Sequence, residues 1–450
     1  MTKRPTSFLG TPATAPGPLG PDMVSAIRTI RRDPLAFLTA TWKRYGDVVQ
    51  FPIPRPPTYL VNDPESVRHV LVGNARNYGK STIQYESLAL VTGEGLLSAD
   101  TPRWRRQRPM VQPAFHHETL EGVVATVVST ARGVEREWSE LSPGMVIDAD
   151  AYMMHAALEV VGRSLFGSDL SGDAARITAA TLSGLEVVIA RARVPLTPPR
   201  WLPTPANRKL QRARANLDAA VTGILAERAG AGPGAGDMLD LLIAARDERG
   251  IGLTPQEIRD EIVTFIVAGH ETVASALAWA WLLLAQHPDM QERIAEEARN
   301  AQPWSRASIA NLPFTRAVFD ETMRLYPPAW VITRSAKEAD VLPCGVSIPS
   351  GALVIISPYL LHRHPDVWSR PESFQPDRFL APYERDAFIP FGAGPRLCIG
   401  RDFAYVEGVL MLAMLARAFR VIPTSTRLPW ADPQVTIRPH GGAPVRVEPR

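Results

Sequence analysis

The sequence predicts a mainly α protein with a small β-rich part. Helical spacing, with caps and Pro starts, recurs along most of the 450 residues. Strand-like runs gather in few places: 47–62, the segment after Pro328, and the tail from Val435 to Ile437. No linker-like stretch divides the middle. Residues 22–450 therefore read as a single domain, preceded by an extended arm, 1–21, rich in Pro, Thr and Gly.

Taken in order, DPLAFLTATWKRYG (33–46) is helical and stops at Gly46. DVVQFPI and TYLVND then form a hairpin, and Asp63-Pro64 restarts a helix to about Val72. From Asn74 to Ala99 the pattern dissolves, which reads as a loop long enough to be functional. The next helix begins at Thr101, with Pro102 in its first turn. Trp104 and Arg108 lie four apart on one of its faces, and Arg105 and Arg106 read as solvent-facing. Residues 117–190 are successive amphipathic helices. RVPLTPPRWLPTPANRKL (193–210), with Leu196, Trp201 and Leu202, interrupts them, and 229–237 reads as a flexible surface loop.

A capping box, Thr254 to Glu257, opens the longest helix, which runs to about Gln286, roughly 45 Å at 1.5 Å per residue. Its middle is apolar nearly all round, which predicts burial. There stands AGHET, Ala268 to Thr272. Gly269 costs about 1 kcal/mol against Ala inside a helix. Glu271 is a carboxylate in apolar surroundings. Thr272 can bond back to the carbonyl of Ala268 and loosen the turn. His270 reads as structural. In the helix 313–326, Glu321 and Arg324 are three apart and so are neighbours. Strands follow Pro328, with turns at Gly345 and Gly351; His362 and His364 read as packing or surface residues. Near the C-terminus, FGAGPRLCIG (391–400) sets Cys398 among glycines. An apolar helix (402–419) follows, and its N-terminal amides would favour a thiolate.

Phe391, Gly394, Arg396, Cys398 and Gly400 together resemble the haem-ligand loop of the cytochrome P450 superfamily. Trp104-x-x-x-Arg108, Ala268–Thr272 and Glu321-x-x-Arg324 resemble three further motifs of that family, in its order. The resemblance covers most of the chain and points to the soluble bacterial type. It implies a triangular prism of helices around one haem b, with Cys398 as axial ligand. Gly394 and Gly400 would allow turns with positive φ, and Gly392 belongs to the same loop. Phe391 would cover the proximal face of the ring. Trp104, Arg108, Arg334 and Arg396 would hold the propionates. Gly269 would leave room for the oxygen, and Ala268 would touch the haem. Thr272 would hold dioxygen and steer a proton to it, with Glu271 relaying protons from solvent. Arg378 would join Glu321 and Arg324 in a buried structural network. Leu88, Leu90, Phe265, Ala268, Trp330, Val331, Ile332 and Ile437 would line the substrate pocket, and the Pro-rich segment would be a mobile lid.

The implied reaction inserts one oxygen atom from O2 into a hydrophobic small molecule of secondary metabolism, such as a terpene, a fatty acid or a polyketide. Electrons from NAD(P)H are expected through external redox partners: a ferredoxin with its ferredoxin reductase, or a flavodoxin. Arg105 and Arg106 are the expected docking residues. A peroxide-using haem-thiolate enzyme and a non-catalytic carrier or sensor are the alternatives; Thr272 and Glu271 speak against both. Net charge is +3, too near neutral to argue for nucleic acid. Two cysteines cannot build a disulfide framework or a four-cysteine zinc site, so a reducing cytoplasm is expected. The first twenty residues hold no apolar run fit for a signal peptide or membrane span. A monomer is expected.

Overall fold

The structure is a computed structural model and describes residues 13–52, 57–115, 119–142, 144–170, 172, 174–192, 198–199, 201–231 and 237–450. The described part of the arm lies against β1 (Val48–Phe51): the Thr14 amide donates to Gln50 Oε1 (2.8 Å), and the Gln50 amide to Pro16 O (2.9 Å). Helix α1 (Gly20–Arg32) begins just before the predicted end of the arm. Asp33 caps α2 (Pro34–Tyr45), and Gly46, at φ 96°, stops it. β2 (Thr58–Val61) pairs with β1 in the predicted hairpin. Asp63 caps α3 (Pro64–Arg68), which continues as a π turn to Gly73. β3 (Tyr78–Gly79) follows.

The predicted loop 74–99 is instead interrupted by a helix, α4 (Ile83–Thr92). No side chain caps its start, and neighbouring helices cover it on more than one side, so its sequence shows neither a boundary nor a clean apolar stripe. Next come α5 (Thr101–Val111), α6 (Thr119–Ser139), β4 (Val146–Asp148), α7 (Ala149–Phe166), α8 (Ala174–Ala192), α9 (Pro205–Ala231) and α10 (Met238–Ala244). Leu196 of the Pro-rich segment lies outside the described residues, as do 232–236 of the predicted 229–237 loop. The first residues of that loop are the end of α9.

The predicted long helix is α11 (Pro255–Ala285), opened by the Thr254–Glu257 capping box. It is long and apolar enough to cross a membrane, yet most of it is buried within the protein, with α7 alongside. Then follow α12 (Pro288–Asn300), α13 (Pro313–Leu325), β5 (Ile332–Ala336), β6 (Asp340–Val341), β7 (Ser347–Ile348), β8 (Leu353–Ile356), α14 (Pro358–Leu361) and α15 (Arg401–Ala418). The tail adds β9 (Phe419–Pro423), β10 (Ala431–Pro433), β11 (Ile437–Pro439) and β12 (Pro444–Pro449).

The largest sheet has the order β1-β2-β8-β5-β3, with β2 and β8 parallel and the other pairs antiparallel. Its own apolar cluster includes Val61, Val70, Leu71, Ile332, Val354 and Ile389. A second, larger cluster joins the helices around α11. The fold is thus mainly helical with a small β-rich part. The Cys398 loop touches both clusters: Phe391 and Ile399 pack on the helical one, Ala393 on the sheet.

Candidate functional site

Two anchors place the loop around Cys398. Upstream, Arg324 donates to both oxygens of Glu321 (2.6 and 2.9 Å), and Arg378 adds a third contact at 3.2 Å. Arg324 also donates to the carbonyls of His362, Pro371 and Ser373, which ties down the chain leading to the loop. The second anchor is His362, fully buried, whose Nε2 accepts from the Ile389 amide at 2.9 Å.

Within the loop, the Cys398 amide donates to Phe391 O at 3.0 Å. Gly392 and Gly394 hold positive φ, 71° and 67°. At Gly394 a Cβ would lie 2.0 Å from Leu71 O, so backbone packs on backbone there. Gly400 differs from expectation: its φ is −89°, because it is the first cap of α15 and needs no left-handed turn. The Phe391 ring lies 5.3 Å from the Tyr405 ring. Cys398 is enclosed by protein, yet its side chain keeps accessible surface. Both hold if the sulfur borders an internal space. Burial pushes the thiol up, while the Gly400 amide and the charges of Arg108, Arg401 and Lys80 act in the opposite direction.

Cations gather beside that loop. Arg108 donates to Leu397 O (3.1 Å), and Arg396 to Ala99 O (2.8 Å). The Arg396 guanidinium lies 4.2 Å above the Trp104 ring. Arg334 is buried and donates to Thr333 O. Lys80 joins them: it is buried, donates to Leu97 O (2.7 Å), and burial together with Arg334 and Arg396 pushes its pKa well down. Arg396 is brought down to about 10 by burial and by Arg334. Asp100 is the acid felt by both Lys80 and Arg396. Interior cations in such excess are costly without an anion. The donor set therefore suits a group with two carboxylates, as the haem propionates are. Sequence reading missed Lys80, a lone Lys in an irregular stretch with no spacing signal.

Along α11, Ala268, Gly269 and Thr272 keep partial exposure while their neighbours are buried. Ala268 and Thr272 are one turn apart on one face, and Thr272 Oγ1 donates to Ala268 O at 2.7 Å. The missing side chain of Gly269 points elsewhere: a Cβ would lie 2.7 Å from Val161 Cγ2 of α7. Close approach of two helices explains that glycine, a different reason from the expected room for oxygen. His270 is fully buried, with Nδ1 2.7 Å from Ile266 O. Glu271 turns toward the tail, where Thr436 Oγ1 donates to its Oε1 at 3.0 Å. Burial raises Glu271 to about 7, against the opposing pull of Arg438 and Thr436.

Of the remaining pocket residues, Leu90 and Val331 are half-buried and Leu88 is buried. The Phe265 ring lies 5.6 Å from the Phe115 ring, tilted by 53° against it. Ile332 Cδ1 lies 3.9 Å from where a Gly392 Cβ would be, which places it against the loop. Trp330 is fixed by its Nε1–H to Gln434 O (2.7 Å). The Ile437 side chain has no accessible surface; its carbonyl accepts from Ser275 Oγ (2.6 Å) and Trp279 Nε1 (3.0 Å), bolting β11 to α11. Trp201 and Leu202 are exposed. Arg105 faces solvent as expected, but Arg106 does not stand free. It pairs with Asp247 (2.8 Å) and Glu257 (2.7 Å), clamping the start of α11.

The Cytochrome P450 family model matches residues 16–442. Cyclooctatin synthase of Streptomyces melanosporofaciens is 35% identical over 93% of this chain and 91% of its own. Pentalenene oxygenase of Streptomyces avermitilis is 32% identical over 95% and 93%. Leukotriene-B4 omega-hydroxylase 3 of Mus musculus is 32% identical over 88% and 81%. With motifs, fold and comparisons in agreement, the chain belongs to the cytochrome P450 family and is a haem monooxygenase.

Proposed function

We propose that the site between the Cys398 loop and the accessible face of α11 at Ala268 and Thr272 takes one haem b, which Cys398 would hold through its sulfur. Trp104, Arg108, Arg334, Arg396 and Lys80 hold its propionates. The bound group supplies activation of O2 and transfer of one oxygen atom to substrate, the other leaving as water. The observation that supports this best is a cysteine enclosed by protein yet accessible, beside a cluster of interior cations. The chain's own part is to hold the substrate, exclude bulk water and deliver protons. Thr272 presents a hydroxyl on the exposed face, and Glu271 stores a proton near neutral pH. The reduced, CO-bound protein is expected to show a Soret band near about 450 nm, the mark of thiolate ligation. Its absence, or its survival in Cys398→Ser, would overturn the assignment.

The substrate we propose is a terpene skeleton, as hydrocarbon or as alcohol. Support comes from the bacterial relatives, whose names specify pentalenene and cyclooctat-9-en-7-ol, and from the apolar residues Leu88, Phe265, Val331 and Ile332. A fatty acid is the second reading, favoured by the leukotriene-hydroxylating relative. High-spin spectral shifts with terpenes and none with fatty acids would decide between them.

Electrons from NAD(P)H enter, in this proposal, through a ferredoxin or flavodoxin in a reducing cytoplasm. A groove of about 500 Å³ beside the Cys398 loop is lined by Arg306, Arg316, Arg385, Arg401, Phe391 and Leu397. Arg401 and Arg316 there pair with Asp402 (2.9 Å) and Asp320 (3.8 Å), as Arg106 does with Asp247 and Glu257, so Arg385 is the residue we propose to meet an acidic partner. Arg385→Glu is expected to slow delivery of the first electron without changing substrate affinity. Unchanged rates would remove this surface from consideration.

A further inference from the structure

Glu271 has its back to the accessible face of α11, and what it faces is a second polar cluster. Three elements bring it together. The turn between β10 and β11 supplies Thr436, which donates to Glu271. β11 supplies Arg438, and the start of α7 supplies Asp150, which form an ion pair. α11 itself adds His270, which feels the charge of Arg438, as Glu271 does. Glu271 and Thr436 are almost fully buried, and Asp150 and Arg438 nearly so. Asp148, two residues before Asp150, is exposed and holds the amides of Asp150 (3.1 Å) and Ala443 (2.7 Å). The cluster therefore runs from the surface to the centre of α11.

Among the described residues, three buried atoms here find no hydrogen-bond partner: Asp150 Oδ1, Arg438 Nη1 and His270 Nε2. Buried polar atoms of this kind are met by ordered water, which needs two to four polar partners. The set offers donors and acceptors on both sides of the ion pair.

We propose that Asp150, Arg438 and Thr436, with water bound among them, are the line that returns protons to Glu271. One proton from bulk water forms an O–H bond on Asp150. That bond breaks as one forms on Glu271, through water or the Thr436 hydroxyl, and Glu271 gives its own proton inward toward Thr272. Charge is conserved at each transfer. Arg438 releases no proton; it is a positioning residue, paired with Asp150, whose charge also acts on Glu271. His270 stays neutral and supplies a ring nitrogen to the water. The inference rests on the assignment of Thr272 and Glu271 above.

The charges around Glu271 make the test two-signed. Arg438 draws its pKa down and Asp150 pushes it up. Infrared titration of the Glu271 carboxyl, identified by its loss in Glu271→Gln, should move up in Arg438→Gln and down in Asp150→Asn. With a surrogate redox pair, Asp150→Asn should slow turnover on the order of ten-fold and enlarge the solvent deuterium isotope effect. Arg438→Lys should restore much of what Arg438→Gln loses. Should Arg438→Gln fail to fold, Thr436→Val, which loses the hydroxyl, and Thr436→Ser, which keeps it, decide the same question. A purely structural cluster would lower thermal stability and leave the isotope effect at the wild-type value; that outcome overturns the proposal. If Glu271→Gln and Thr272→Ala lose coupling while Asp150→Asn does not, this line alone fails and the reading of the site stands.

Discussion

Thr272 and Glu271 are neighbours in sequence and face different surroundings. Thr272 is half-buried and its hydroxyl donates to Ala268 O, whereas Glu271 is buried and its carboxyl accepts from Thr436. Helical geometry sets adjacent side chains about 100° apart, so one must look inward when the other looks back. The two residues should therefore fail differently. Thr272→Ala removes a hydroxyl from the accessible face. It should cut product formed per NAD(P)H by about ten-fold while NAD(P)H consumption continues. Thr272→Ser keeps the oxygen and should keep most of the coupling. Equal coupling in the Ala and Ser variants would show that the hydroxyl has no part in the chemistry. Substrate affinity, read from the spectral shift, should change little in either variant.

At the scale of elements, α11 packs along α7, and Gly269 is a point of close approach between them. A Cβ there would lie 2.7 Å from Val161 Cγ2, well inside ordinary contact. Gly269→Ala should gain the helix propensity of Ala, worth about 1 kcal/mol, and lose more to overpacking, typically 1–3 kcal/mol. The expected result is a lower melting temperature. Val161 is fully buried, so Val161→Ala costs stability by itself; the test is the coupling, and Gly269→Ala should cost less in the Val161→Ala background than in the wild type. An equal cost in both backgrounds would mean that the glycine serves the site rather than the packing. The same helix pair explains why sequence alone offers an incomplete reason for this residue. AGHET shows that a glycine sits in a buried helix, but not which neighbour approaches it. α4 was missed for a related reason: a short helix covered by its neighbours shows no regular apolar stripe.

Across the whole molecule, most of the helices and strands were legible because their caps, Pro starts and periodicities are local. Asp33, Asp63, Thr254 and Gly46 each mark a boundary that the structure keeps. The site was legible as residue types in short motifs. Its directions were not, because they depend on partners distant in sequence. Arg106 is held by Asp247 and Glu257, Glu271 by Thr436, and Lys80 lies among Arg334 and Arg396. Such long-range burial leaves the molecule with several interior acids. Burial raises Glu261 to about 8, Glu271 to about 7 and Asp320 to about 6, and it also raises Glu407. In each case the folded pKa lies above the unfolded one, so the native state keeps a proton that the unfolded chain releases. These groups leave stability intact below about pH 4.5 and erode it as pH rises through their folded values. The melting temperature should therefore fall from about pH 4.5, the unfolded value, up to about pH 8, the highest folded one. Glu261 has the clearest share: its Oε2 accepts from the Leu96 amide at 3.2 Å, and its Oε1 finds no hydrogen-bond partner among the described residues. Glu261→Gln keeps an acceptor for Leu96 and removes the titration. It should stabilise the protein by roughly 2–4 kcal/mol at about pH 9 and change little at about pH 5. A gain of equal size at both pH values would point to packing and away from the buried proton.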